Sequence, residues 1–378
     1  MMKKIECTIF RGGTSRGVFF REELLPEKGG SRDSLLLSVM GSPDIRQIDG
    51  LGGAVSTTSK VAIISRSERT DADVDYTFAQ VSIDKPIVDY NGNCGNMSSA
   101  VGPYALEAGL VEAVNPETVV RIYNTNTSKI IHSYVPTPGG RVEYYGDFSI
   151  SGVPGTASKI KLAFMNPAGA VTGKLLPTGS PYDIIDVKGI GKIGISIVDV
   201  TNPAVFVKAE DAGLEGTELS DAIDSNPVLL ERLERIRGAA AYLLGFIDDP
   251  DQSSVKSPAV PKMTIISESK SYISSSGVKI SKEEIDITGR MMSMQKTHKT
   301  YALTGALCTA GAAVIEGTIV NRFIKSGFNP ESVLIGHPGG IIPAGVIAER
   351  ENQGDLNIAW AVGYRTARLI MQGTVYYK

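Results

Sequence analysis

The sequence predicts a mixed α/β protein built from two similar halves. Three observations point there. Strand-like and helix-like segments mix along the whole chain rather than segregating into blocks. A stretch rich in Gly, Pro, Ala and Thr, from Gly152 to Pro181, reads as a linker, giving an N-terminal lobe over 1–180 and a C-terminal lobe over 181–378. Each half also contains a cysteine, then small or polar residues, then an apolar helix rich in Ala and Gly: Asn93-Cys94-Gly95-Asn96-Met97-Ser98-Ser99-Ala100 in the first and Leu307-Cys308-Thr309-Ala310-Gly311-Ala312-Ala313 in the second. This echo reads as one unit duplicated, with a cysteine at the mouth of a helix in each copy.

The elements follow in order. Ile5 to Phe10 reads as a strand, Arg11-Gly-Gly-Thr-Ser-Arg-Gly17 as a glycine-rich loop, and Val18 to Phe20 as a strand again. Leu35 to Met40 reads as a short helix and Lys60 to Ser65 as a buried strand. Asp73 to Val81 alternates with the period of a strand. Met97 to Val111 is apolar enough for a buried helix. Val119 to Asn124, Ser133 to Val135 and Val142 to Asp147 read as strands. Beyond the linker, strands are expected at Gly194 to Val200, Val205 to Lys208 and Met263 to Ser267. Pro227 to Leu244 is an amphipathic helix, with Leu229, Leu230, Leu233, Ile236 and Ala240 on one face. Helices are also expected over Ile285 to Gln295, Thr309 to Ser326 and Ala359 to Met371. A final strand at Val375 to Tyr377 is expected to return to the first lobe.

Composition excludes several classes of function. The 378 residues are 42% hydrophobic and 21% charged, so the chain can bury a core. With 38 basic and 41 acidic residues, it lacks the excess of positive charge that nucleic-acid binding requires. No apolar run has the length of a membrane span. The charged N-terminus lacks a signal peptide's apolar stretch, and the cysteine usage makes reducing cytoplasm the expected location. The sequence is compatible with a homo-oligomer. Three widely spaced cysteines without a Cys-x-x-Cys argue against a disulfide framework or a zinc site. His132, His298 and His337 form no ligand-spaced cluster, and Asp71, Asp73 and Asp75 read as a solvated strand face, so no metal is expected. No Walker A, Gly-x-Ser-x-Gly or dinucleotide fingerprint occurs.

Chemistry is expected where helices begin. The first N–H groups of a helix are unpaired and carry partial positive charge, which favours a thiolate and can hold a carboxylate. Two such ends aimed at one cleft would suit a di- or tricarboxylate and the enolate formed when a neighbouring proton is removed. Cys94 lies among polar and glycine residues, a loop setting that favours a functional thiol over a small buried hydrophobe. Cys308 sits in a more apolar setting that leaves both readings open, and Cys7 falls mid-strand and reads as structural. Lys60 follows the small-residue loop Gly52 to Ser59. Alone it reads either as a solvated strand-end lysine or as a desolvated base. Gly12-Gly13-Thr14-Ser15-Arg16-Gly17 offers backbone donors, hydroxyls and a guanidinium to an anion.

Several stretches carry a family resemblance: Arg11 to Gly17, Gly41 to Gly50, Ser59-Lys60, Asp71 to Gln80, Tyr90 to Asn96, His298 to Tyr301 and Gly336 to Gly340. Together they resemble the PrpF branch of the diaminopimelate epimerase fold, which includes methylaconitate isomerase and 3-methylitaconate Δ-isomerase. The resemblance implies two pseudo-symmetric α/β (α+β) lobes, each a sheet wrapped around a central helix, with the active site in the cleft between them. It implies a cofactor-independent isomerase moving an allylic proton in a small unsaturated di- or tricarboxylic acid, by double-bond migration or cis–trans isomerisation. It places the family's catalytic lysine and cysteine at Lys60 and Cys94. Helix-mouth chemistry and family position together assign substrate binding to Ser15, Arg16, Gly95, Asn96, Cys308, Thr309 and Ala310. Cys308-Thr309 stands where the parent fold has Cys-Gly, which weakens an amino-acid racemase reading. The alternatives are 4-oxalomesaconate tautomerase, a cysteine-dependent racemase, and a non-catalytic accessory to an aconitase-like dehydratase.

Overall fold

The computed structural model describes residues 2–350 and 356–378. The chain divides into two compact units, Met1–Ala163 with Tyr364–Lys378, and Phe164–Gly363. The break thus falls inside the Gly/Pro-rich stretch, earlier than residue 180.

In the first unit, strands Lys3–Gly12 and Ser15–Arg21 form a hairpin closed by Gly13 and Thr14. Gly13 is required at the turn: its φ is +52°, and a Cβ there would lie 2.3 Å from the Asn96 side-chain oxygen. Ser15–Arg21 runs parallel to Lys60–Arg66, with Gly17 opposite Lys60. Lys60–Arg66 is antiparallel to Val74–Val81, with Lys60 opposite Gln80. Val74–Val81 is parallel to Glu117–Asn124, which is antiparallel to Lys129–Pro136. On the other edge, Ala367–Tyr377 pairs antiparallel with Lys3–Gly12.

The sheet curves around the helix Gly95–Glu107, which packs on most of these strands. Burial on every side explains the helix's composition. Its residues through Ala105 are all buried, and Gly102 is needed because a Cβ there would meet the Ser133 hydroxyl at 2.6 Å. A second helix, Gly30–Met40, covers the outer face through Leu35, Leu36, Val39 and Met40.

The second unit repeats the same order of strand directions. Gly191–Val200 and Asn202–Lys208 form a hairpin. Its second strand is parallel to Lys262–Ser267, with Ala204 opposite Lys262. Lys262–Ser267 is antiparallel to Ile287–Ser293, which is parallel to Val333–His337, itself antiparallel to Gly340–Arg350. The buried helix Leu303–Val314 occupies the place of Gly95–Glu107, between the fourth and fifth strands of this series. Pro227–Leu243 covers the outer face, burying Leu233, Ile236 and Ala240 against the sheet.

Four expected elements differ. Ile285 to Gln295 contains the strand Ile287–Ser293 rather than a helix. All residues from Ile287 to Met292 are buried, so no alternation survives to reveal the strand. Ala359 to Met371 lies in strands Leu356–Arg365 and Ala367–Tyr377, where pairing with neighbouring strands overrides the helical preference of Ala, Arg, Leu and Met. Val142 to Asp147 joins no ladder. The Cys308 helix begins at Leu303 and ends at Val314, followed by a short helix Ile319–Phe323. Its start was hidden because Ala302 at the cap supplies no side-chain acceptor, and Gly305 breaks the helical pattern.

Candidate active site

The first unit gathers polar groups at the start of its central helix. Cys94 is the N-cap. Its carbonyl accepts from the Ser98 amide at 2.9 Å, and its half-buried side chain makes no capping bond. The amides of Gly95, Asn96 and Met97 therefore have no acceptor within the helix. The Gly12–Ser15 turn packs against the side of the helix's first turn, where a Cβ at Gly12 would stand 2.4 Å from the Asn96 carbonyl oxygen and 3.2 Å from the Ala100 Cβ.

The Asn96 side chain bridges two segments remote in sequence. Its Nδ2 donates to Thr14 Oγ1 at 3.0 Å, and its Oδ1 accepts from Arg365 Nε at 2.9 Å. Arg365 is 3% exposed and also donates Nη1 to its neighbour's carbonyl, that of Tyr364, at 2.8 Å. Burial lowers its pKa to about 10, and the charge of Cys94 opposes the shift. The C-terminal segment is held in place by Gly13 N donating to Thr366 O at 2.9 Å, and by Arg11 Nη1 donating to the same carbonyl at 3.0 Å.

Lys60 is 9% exposed, at the first position of its strand. Its ammonium donates to Gln80 Oε1 at 2.6 Å and lies 5.2 Å from the centre of the Phe78 ring. Burial lowers its pKa, and the charge of Cys94 again opposes the shift. Lys60 and Arg365 are thus two buried cations whose side-chain hydrogen bonds go to neutral oxygens, and both face the same thiol. Tyr76, buried on the strand beside them, has its pKa pushed well up by desolvation and next by Cys94.

Of the residues expected at the site, the structure therefore brings Lys60, Cys94, Gly95 and Asn96 together. Ser15 is buried at the hairpin turn opposite Gly12, and Arg16 lies against the Gly52-Gly53 loop. Sequence reasoning missed Arg365 and Gln80. Gln80 ends a quoted motif, so its place opposite Lys60 could have been read from the pairing of adjacent strands. Nothing local marked Arg365, which lies far from the rest in sequence.

The second unit corrects three expectations. Cys308, Thr309 and Ala310 lie inside the Leu303–Val314 helix and are buried. The Cys308 thiol donates to Val198 O at 3.2 Å, and burial pushes its pKa up. Thr309 Oγ1 donates back to Gly305 O and pairs with the Tyr301 hydroxyl. The amides of these residues are intrahelical donors, not open ones. By topology the counterpart of Cys94 is Ala302, the N-cap, so this helix mouth bears no thiol. Asn202 occupies the hairpin position that Ser15 holds in the first unit. It is 1% exposed, and neither of its side-chain polar atoms has a hydrogen-bond partner. An amide left this way is one that a ligand can satisfy. Among the described residues no three His, Cys, Asp or Glu side chains gather as metal ligands would, and no helix is long and apolar enough to cross a membrane.

The profile of the family described as PrpF protein matches residues 2–378. The chain belongs to the PrpF family. Among PrpF relatives, it is 46% identical over 374 residues to 3-methylitaconate isomerase of Eubacterium barkeri, covering 99% of this chain and 97% of the relative. It is 42% identical over 385 residues to 2-methyl-aconitate isomerase of Shewanella oneidensis, covering 98% and 96%. The crystal structure of methylitaconate-delta-isomerase superposes with a TM-score of 0.80 at 46% identity, covering 100% of this chain and 96% of that one. The fold of this PrpF protein is accordingly diaminopimelate epimerase-like.

Within this PrpF chain, Cys308 is fully buried, with its thiol on the Val198 carbonyl. Cys308→Ala is expected to leave turnover unchanged while costing about 1 kcal/mol of stability, the size of a small core deletion that also loses a hydrogen bond. Steady-state rates and a thermal melt check both halves. A large loss of rate with an unchanged melt would return Cys308 to the chemistry.

Proposed function

We infer that this protein is an isomerase that moves an allylic proton in a small unsaturated di- or tricarboxylic acid. The single observation that carries this reading is the pair of buried cations, Lys60 and Arg365, facing Cys94 beside helix-mouth amides, with no ion-paired carboxylate on either among the described residues. Such a site is short of negative charge. An anionic substrate supplies it, and the PrpF relatives named above act on acids of this kind.

The chemistry follows from the groups present. A substrate carboxylate lies against the Gly95 and Asn96 amides and the Arg365 guanidinium, where charge-assisted hydrogen bonds hold it. The neutral Lys60 amine takes a proton from the carbon next to the double bond. The electron pair passes into the adjoining unsaturation and carboxyl group, giving a dienolate. The amides and Arg365 stabilise the charge that develops there. Reprotonation at another carbon completes double-bond migration, and reprotonation after rotation gives the geometric isomer. The proton returns from Lys60 or from Cys94.

Solvent-deuterium exchange followed by NMR tests this reading across C5 to C7 unsaturated acids, including methylitaconate, methylaconitate and oxalomesaconate. We expect exchange at the allylic carbon with at least one acid, and its loss in Lys60→Ala. Exchange with none of them would remove the assignment. Turnover of oxalomesaconate alone would make the protein a tautomerase.

A pH dependence follows as well. Lys60 acts unprotonated, so kcat/KM must rise with pH through the lysine's pKa and level off above it. Because burial lowers that pKa, the midpoint of the rise lies below the ordinary lysine value. A rate still climbing tenfold per pH unit above 10.5 would exclude Lys60 as the base.

A further inference from the structure

We propose that Gln80 is a positioning residue that fixes the direction of the Lys60 amine and holds a neutral acceptor, in place of a carboxylate, against it. This rests on the reading of Lys60 as the base.

The geometry around the Gln80 amide permits one orientation. Its Nε2 donates to Ser59 O at 2.8 Å and to Ser56 O at 3.2 Å. Both N–H donors are therefore committed to backbone carbonyls of the loop leading into Lys60. The remaining atom, Oε1, must face Lys60 Nζ, where it sits at 2.6 Å. Flipping the amide would set an oxygen against two carbonyl oxygens and an NH₂ group against the lysine. The loop is itself pinned. Ser59 Oγ donates to Val81 O at 2.9 Å and accepts from the buried Gln47 Nε2 at 2.7 Å. Gln47 Oε1 in turn accepts from the Ala54 amide at 2.9 Å.

Two consequences concern the lysine. A neutral amine has two N–H bonds and one lone pair, and Oε1 takes one of the N–H bonds. The lone pair is thereby directed away from the Gln80 strand. An amide oxygen also carries no net charge, so it orients the ammonium without the attraction that a carboxylate would add. The other groups facing Lys60 are Phe78 on the same strand as Gln80 and Cys94 at the helix mouth, with Arg365 and Tyr76 next to Cys94. Cys94 is the titratable one whose charge reaches the lysine. A purely structural role for Gln80 predicts stability changes alone. The positioning role predicts opposite shifts in the lysine's titration for a charged and an apolar replacement.

The test uses the full-length protein with ¹³C-labelled lysine, the Lys60 signal being assigned by its absence in Lys60→Ala. In Gln80→Glu the Lys60 titration midpoint should rise by about one pH unit or more, as an opposite charge within contact distance causes. In Gln80→Met it should fall, because the ammonium loses its acceptor. The acid limb of the kcat/KM profile should move with the midpoint in each variant. Midpoints that stay put, or that move in the same direction in both variants, overturn the proposal. If Gln80→Glu does not fold, Gln80→Met decides alone, and an unchanged midpoint there is fatal. Opposite shifts with no acid turned over would uphold Gln80's role at the lysine and discard the reaction assigned to the site.

Discussion

Lys60→Ala will stop turnover and leave the fold standing. General bases contribute about 10²- to 10⁴-fold, and this lysine places an amine beside Cys94 and the helix mouth, so the loss should reach about 10³-fold or more. Folding should survive because the change also removes a cation that is costly to bury. What it leaves behind is one unpaired oxygen on Gln80, a penalty of about 1 to 3 kcal/mol. A chemical rescue sharpens the test. Ethylamine or propylamine fits the space vacated by the side chain, and should restore part of the deuterium exchange in proportion to its unprotonated fraction. A variant that keeps half its activity, or one rescued equally by the protonated amine, would show that Lys60 does not remove the proton.

Arg365→Met should act on binding and on the dienolate together. Truncating one side of a buried charged hydrogen-bonded contact costs about 2 to 5 kcal/mol, which is about 30- to several-thousand-fold in kcat/KM. Arg365→Lys should recover little of this. The guanidinium uses Nε toward Asn96 Oδ1 and Nη1 toward Tyr364 O, a fork that one ammonium cannot reproduce. Steady-state kinetics with the best acid from the exchange screen provide the check. A lysine variant at wild-type rate would reduce Arg365 to a source of diffuse positive charge.

How much of this was legible in the sequence depended on whether the signal was local. The hairpin, the Lys60 strand and the Gly95 helix announced themselves because turn glycines, apolar runs and polar flanks fall within a few residues of one another. The second helix did not. Its cap is alanine, its first turn contains a glycine, and Cys308 drew the boundary six residues too late. Matching the halves by their cysteines therefore aligned the wrong positions. Matching them by strand direction makes Ala302 the counterpart of Cys94, and Asn202 the counterpart of Ser15. The C-terminal residues were hidden for a different reason. A sequence such as Ala359 to Met371 has a helical composition, and only pairing with remote strands makes it extended. Arg365 depends on that pairing, so no local pattern could reveal it.

The dependence on Arg365 has a consequence for biosynthesis. Asn96 emerges from the ribosome early, yet the arginine that grips its side chain lies 269 positions downstream. Until the last segment has been made and has annealed to the opening strand, the helix mouth of the first unit lacks the Arg365 guanidinium. A polypeptide released before that point lacks both the Arg365 contact and the strand that pairs with Lys3–Gly12, so premature termination products should neither consume the metabolite nor compete for it.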